Sequence, residues 1–108
     1  MDMATRIKHD IESHPVILFM KGTPATPRCG FSQRAVQVLE YYGITYEAVD
    51  ILADPRIRVK LAEHSSWPTI PQLFVNGELV GGSDIMLELH QHGQLLPILE
   101  QAVLPART

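Results

Sequence analysis

Residues 16–43 read VILFMKGTPATPRCGFSQRAVQVLEYYG, and the order of patterns within them decides the fold. VILFMK, 16–21, is a short unbroken apolar run of β-forming residues, which predicts a strand covered on both faces. GTPATPR, 22–28, is a loop by its glycine and prolines. From Cys29 onward, Ala35, Val36, Leu39 and Tyr42 recur at helical spacing and the pattern closes on Gly43. A buried strand running through a tight loop into a helix is the beginning of an α/β unit. The only cysteine of the chain stands at the loop-to-helix junction.

Upstream, residues 3–13 place Ile7 and Ile11 on one helical face, and Pro15 ends the pattern. Downstream, ITYEAVDI, 44–51, reads as a second strand. Asp54 is placed to cap, and Pro55 to open, a helix from about 55 to 64 with Ile57 and Leu61 facing inward. PQLFVNGELVGG, 71–82, is two short strands joined across Asn76-Gly77, where both turn positions call for positive φ. Ser83 and Asp84 are expected to cap IMLELHQHG, and a last amphipathic helix runs from about Gln94 to Val103. The order αβαβαββαα predicts one α/β domain over residues 1–108, a mixed four-stranded sheet flanked by helices on both faces.

Composition removes several functions. The chain has 108 residues, 45% of them apolar and 19% charged, which is the balance of a globule with a core. Nine basic against twelve acidic residues give a net charge of −3 without a basic block, so the electrostatic term for nucleic-acid binding is missing. VILFM is only five residues, far short of a membrane span, and MDMATRIKHDIESHP has no apolar core of a secretory signal. One cysteine makes no internal disulfide, which suits a reducing compartment. The expectation is a soluble cytoplasmic protein, with a trimmed organellar form left open.

A sulfur where a helix begins feels the positive end of the helix dipole and unpaired N–H groups, both of which favour thiolate. A free thiol of pKa ~8.5 is only a few per cent ionised near pH 7; lowering the pKa by ~2 units makes roughly three-quarters of it thiolate, for roughly 2.7 kcal/mol. Lys21 and Arg28, near the loop, push the same way. The alternative is a buried, inert cysteine, against which stand the flanking prolines and Gly30. Gly30 either eases a tight helix start or leaves room beside the sulfur. Phe31 is core or a cover for the site. Ser32 stands where a resolving thiol would lie and satisfies donors of the first turn; it excludes two-thiol exchange within the chain. Trp67 reads equally as a core or an interface aromatic. His90 and His92, two apart, do not share a helix face and are expected at the surface.

KGTPATPRCGFS, then WPTIPQLFVNGELVGG, then Ser83-Asp84, in this order and spacing, resemble the monothiol glutaredoxins with a Cys-Gly-Phe-Ser site, over about residues 6 to 100. The resemblance implies a thioredoxin-like fold, glutathione as ligand, and a 2Fe-2S cluster shared by two protomers. It implies a cis Ile70-Pro71 bond, with Thr69, Ile70 and Pro71 beside an extended tripeptide. It puts Lys21 and Arg58 near the glycine carboxylate of glutathione. The N–H groups at Ser83 and Asp84, after Gly82, face the γ-glutamyl carboxylate, and Asp84 faces the ammonium. Cys29, with Gly30 and Phe31 alongside, is then the catalytic thiol and the metal ligand. Many relatives carry cysteine where this chain has Ser83, so Cys29 is the sole protein thiol.

The stoichiometry follows from ligand chemistry. A 2Fe-2S cluster takes four thiolate-type ligands and the chain offers one. Two copies about a two-fold axis supply two, and glutathione is the abundant source of the others. The reading is a carrier that is a homodimer when cluster-bound and a monomer when apo, passing its cluster to apo iron-sulfur proteins. The resemblance adds mixed complexes with BolA-like proteins. The enzymatic alternative is a glutathione-disulfide oxidoreductase, in which Cys29 attacks a protein-glutathione mixed disulfide; the GTPATPR segment, longer than in dithiol glutaredoxins, favours ligation over attack.

Overall fold

A computed structural model describes residues 1–103; residues 104–108 of the expected domain lie outside the described residues. The elements are α1 (Met3–Ser13), β1 (Val16–Met20), α2 (Gly30–Tyr42), β2 (Glu47–Asp50), a 3₁₀ turn (Ile51–Ala53), α3 (Pro55–Ser65), β3 (Gln72–Val75), β4 (Glu78–Gly81), α4 (Ser83–Gln91) and α5 (Leu95–Val103). The strands form one sheet in the order β2-β1-β3-β4. β1 and β2 are parallel, while β3 runs antiparallel to both β1 and β4.

β1 is buried along its whole length because both faces are covered. Val16, Leu18 and Met20 pack with Leu73 and Val75 under residues of α2, α4 and α5. Ile17 and Phe19 pack with Phe74 against Ile7 and Ile11 of α1 and Ile57 and Leu61 of α3. Phe19 and Phe74 meet edge to face, centroids 5.8 Å apart, an arrangement that adds about 1 kcal/mol to their area burial. Side chains alternating along strands of period two thus build a separate core on each face.

The local signals hold where they rest on backbone chemistry. Asp54 accepts from the Arg56 N–H at 2.9 Å at the start of α3, with Pro55 in its first turn. Gly43 ends α2 in the left-handed region at φ 66°. Asn76 and Gly77 both take positive φ, 52° and 83°, in the β3-β4 turn. Among the described residues no helix is long and apolar enough to cross a membrane.

Three expectations are corrected. The second strand covers Glu47–Asp50 and not 44–51: β1 begins only at Val16 and its pairing with β2 starts at Ile17 opposite Glu47. At the other end the Asp50 carboxylate takes the Leu52 N–H at 2.9 Å and turns the chain into the 3₁₀ segment. Ser83 and Asp84 do not cap α4. Gly81 at φ 145° and the extended Gly82 lead β4 straight into the helix, so Gly82 is the N-cap and Ser83 is already helical and buried. His90 is half-buried and not a surface residue. Its ring meets Tyr41 and Tyr42 edge to face and its Nδ1 pairs with the Tyr42 hydroxyl, because α4 packs on the C-terminal end of α2. His92, as expected, is exposed.

Candidate functional site

Cys29, at the loop-to-helix junction, is the N-cap of α2 and stands one position ahead of its first turn. Its backbone is extended, and its carbonyl accepts from the Gln33 N–H at 2.9 Å to begin the helix. No capping hydrogen bond closes on the side chain, yet the N–H groups of Ser32 and Phe31 are turned toward the sulfur. They hold the Cys29 thiol below its ordinary pKa, the Ser32 amide foremost, with help from the Phe31 amide, the Lys21 charge and the Ser32 hydroxyl against the partial desolvation. Arg28 is not among these groups; its side chain lies against Gly22.

A depressed thiol pKa has a signed consequence. The folded state prefers thiolate, so this contribution to stability is complete above the unfolded thiol pKa of ~8.5 and is lost as pH falls through the folded value. Alkylation of Cys29 with iodoacetamide is therefore expected to show a midpoint below that of a free thiol in the native protein. In urea-unfolded chain the midpoint returns to ~8.5. Equal midpoints in the two states would remove the activated thiolate from the account.

The loop before the cysteine is tied down on several sides. The Lys21 N–H donates to the Ser32 Oγ at 3.0 Å, and the Lys21 carbonyl accepts from the Arg28 N–H at 2.9 Å. Ser32 is fully buried, so its hydroxyl joins the end of β1 to α2 and does not serve the first-turn donors expected of it. The Gly22 N–H donates to Asp50 Oδ1 at 2.8 Å, which fixes the loop to the end of β2. Gly22 and Pro27 form a bridge across the loop.

These restraints set Lys21 and Cys29 at the edge of a cavity of about 410 Å³. It is also lined by Arg58 of α3, Thr69, Ile70 and Pro71 ahead of β3, and Gly82, Ser83 and Asp84 at the start of α4. Phe31 also lines it, more than half exposed, as a cover and not as core. The Ile70-Pro71 peptide is cis. Gly30 alone of the expected residues does not line the cavity; beyond its chain neighbours and its own helix backbone, a Cβ built there meets no heavy atom within 4 Å, so the space over Gly30 is open. Among the described residues Lys21 and Arg58 have no acidic partner, and their charges stay available to a ligand. The first amides of α4 have no intrahelical acceptor and present donors at the far end.

Two lining residues were not expected: Trp67, which the sequence left between core and interface, and Ile85. The Trp67 Nε1 is buried without a partner. The signal for Trp67 was its place four residues before Pro71.

A glutaredoxin family profile matches residues 16–80, which run from β1 to β4 and include the thiol, its loop and the cis proline. The chain belongs to the glutaredoxins. A probable monothiol glutaredoxin, GrlA, of Legionella pneumophila is 58% identical over 87 residues, 81% of this chain and 98% of that protein. An uncharacterized monothiol glutaredoxin, ycf64-like, of Synechocystis sp. is 53% identical over 98 residues, 91% of this chain and 92% of the other. Among solved structures, reduced poplar apo GrxS14 superposes with a TM-score of 0.81 at 45% identity, covering 92% of this chain and 91% of that one. The α/β architecture of this monothiol glutaredoxin is accordingly thioredoxin-like.

Proposed function

We propose that this monothiol glutaredoxin carries a 2Fe-2S cluster as cargo between two protomers, each giving Cys29 and each binding one glutathione, and hands it to apo-proteins. The observation that supports the reading most is the pairing of one thiolate-favouring cysteine, followed by the uncrowded Gly30, with a cavity charged for a zwitterionic tripeptide. Glutathione has carboxylates at both ends and one ammonium. Lys21 and Arg58 suit one carboxylate, the first amides of α4 the other, and Asp84 the ammonium. Thr69, Ile70 and Pro71 give the middle of an extended tripeptide a backbone edge.

With that ligand in place its sulfur lies near Cys29 and makes a second thiolate. Two such pairs complete a four-sulfur set that one chain lacks, since it has a single cysteine. A ligand held by ion pairs and hydrogen bonds exchanges, so the cluster leaves by thiolate substitution on a recipient. Replacement of one protomer by a BolA-like partner is a variation on the same sulfur arithmetic.

Anaerobic reconstitution with iron, sulfide and glutathione tests this. The expected product is a brown species with visible absorption that sediments as a dimer, while the colourless apo-protein sediments as a monomer. A colourless monomer that rapidly cleaves protein-glutathione mixed disulfides would assign the same thiolate to oxidoreductase chemistry instead.

A further inference from the structure

Residues 67–71, all but Pro68 lining the cavity, belong to no helix or strand. A strap of this kind must satisfy its backbone polar groups outside a ladder. Gln72, the first residue of β3, does so for two of them: its Nε2 donates to the Trp67 carbonyl at 2.7 Å and to the Thr69 carbonyl at 3.0 Å. The Trp67 N–H is taken by Ser65 Oγ at 3.1 Å. Both partners of Nε2 are acceptors, so the orientation of the amide is unambiguous.

Gln72 is an odd residue for its place. It is 1% exposed on a strand that is otherwise Leu73, Phe74 and Val75, it is paired in the sheet with Phe19, and its Oε1 is buried with no partner. A buried amide with an unmatched oxygen is unfavourable, and an unbranched apolar side chain of the same length would remove the penalty. What an apolar residue lacks is the fork onto the strap. Gln72 itself does not line the cavity, whereas Trp67 and Thr69, the residues it grips, do.

We propose that Gln72 is a positioning residue for the tripeptide site, fixing the rotation of the Trp67–Pro71 strap so that Trp67, Thr69 and Ile70 keep the surface they present to the ligand. This rests on the reading of the cavity as a glutathione site. It acts through preorganisation, because a strap held in its bound conformation loses less freedom when the ligand arrives.

The chain has one tryptophan, and it lies in the strap, so tryptophan fluorescence, excited beyond the absorption of the three tyrosines, reports the strap alone. Gln72→Met and Gln72→Leu are expected to melt within a few degrees of wild type. Acrylamide quenching of Trp67 in the apo-protein should rise about twofold, and the dissociation constant for reduced glutathione about tenfold. The iodoacetamide reactivity of Cys29 without glutathione, set by α2, should not move. Unchanged quenching and affinity in both variants would overturn the proposal, as would failure of both to fold, which would make Gln72 a core residue only. If wild type bound no glutathione, the reading of the cavity would fall, and the quenching comparison would still decide the role of Gln72.

Discussion

Cys29→Ser protein, purified and reconstituted without oxygen, is expected to hold iron and sulfide only at background level while folding as wild type does. The serine hydroxyl is un-ionised at neutral pH and is a poor ligand for iron beside a thiolate, so each protomer loses its only protein thiol. Folding is spared for a local reason. Cys29 is an N-cap without a side-chain capping bond, and serine is among the preferred N-caps, so stability should be unchanged or higher by up to about 1 kcal/mol. Visible absorption and a thermal melt on the same preparation separate the two effects. A fully loaded cluster in this variant would show that another group ligates the iron.

The second large effect is at Gly22. Its φ is 87°, and a Cβ there would lie 2.5 Å from the Thr26 carbonyl oxygen and 2.8 Å from the Arg28 nitrogen. Both are backbone atoms of a closed loop, so neither can swing aside as a side chain end would. Thr23 and Thr26 are hydrogen-bonded to each other across that loop, and Arg28 to Lys21. Gly22→Ala must break this closure, at a cost of about 2–4 kcal/mol. A fall in melting temperature of roughly 10 °C or more follows for a chain of this size. Lys21 and Cys29 are anchored at the two ends of the loop, so glutathione affinity should drop with it. Gly30→Ala is the contrast: with no heavy atom within 4 Å of its Cβ and a helical position, it should melt at or slightly above the wild-type temperature. A Gly22→Ala protein as stable as wild type would mean that the loop is not the rigid support described here.

What could be read from the sequence is what local chemistry decides. The apolar run of β1, the Asp54-Pro55 helix start, and the Asn76-Gly77 turn each depend on a few adjacent residues, and each stands where its pattern put it. The resemblance to the monothiol glutaredoxins, and no local pattern, singled out Lys21, Cys29, Arg58, Thr69–Pro71 and Gly82–Asp84 as one set, and these line one cavity although they span more than half the chain. What escaped depends on contacts between distant segments. Asp50 holds Gly22 across 28 positions and Tyr42 meets His90 across 48, and neither pattern exists along the chain. The start of α4 was misplaced by one residue because Ser83-Asp84 has cap chemistry, while the backbone of Gly81-Gly82 enters the helix earlier. Gln72 left a trace that could have been followed: an amide opening a strand of apolar residues directly after the proline.

The central claim is the origin of the sulfurs, and native mass spectrometry of the anaerobically reconstituted protein weighs it directly. The account predicts one assembly containing two chains, one 2Fe-2S cluster and two glutathiones, which disappears when glutathione is left out of the reconstitution. A single chain carrying the cluster in the absence of any small thiol would contradict it.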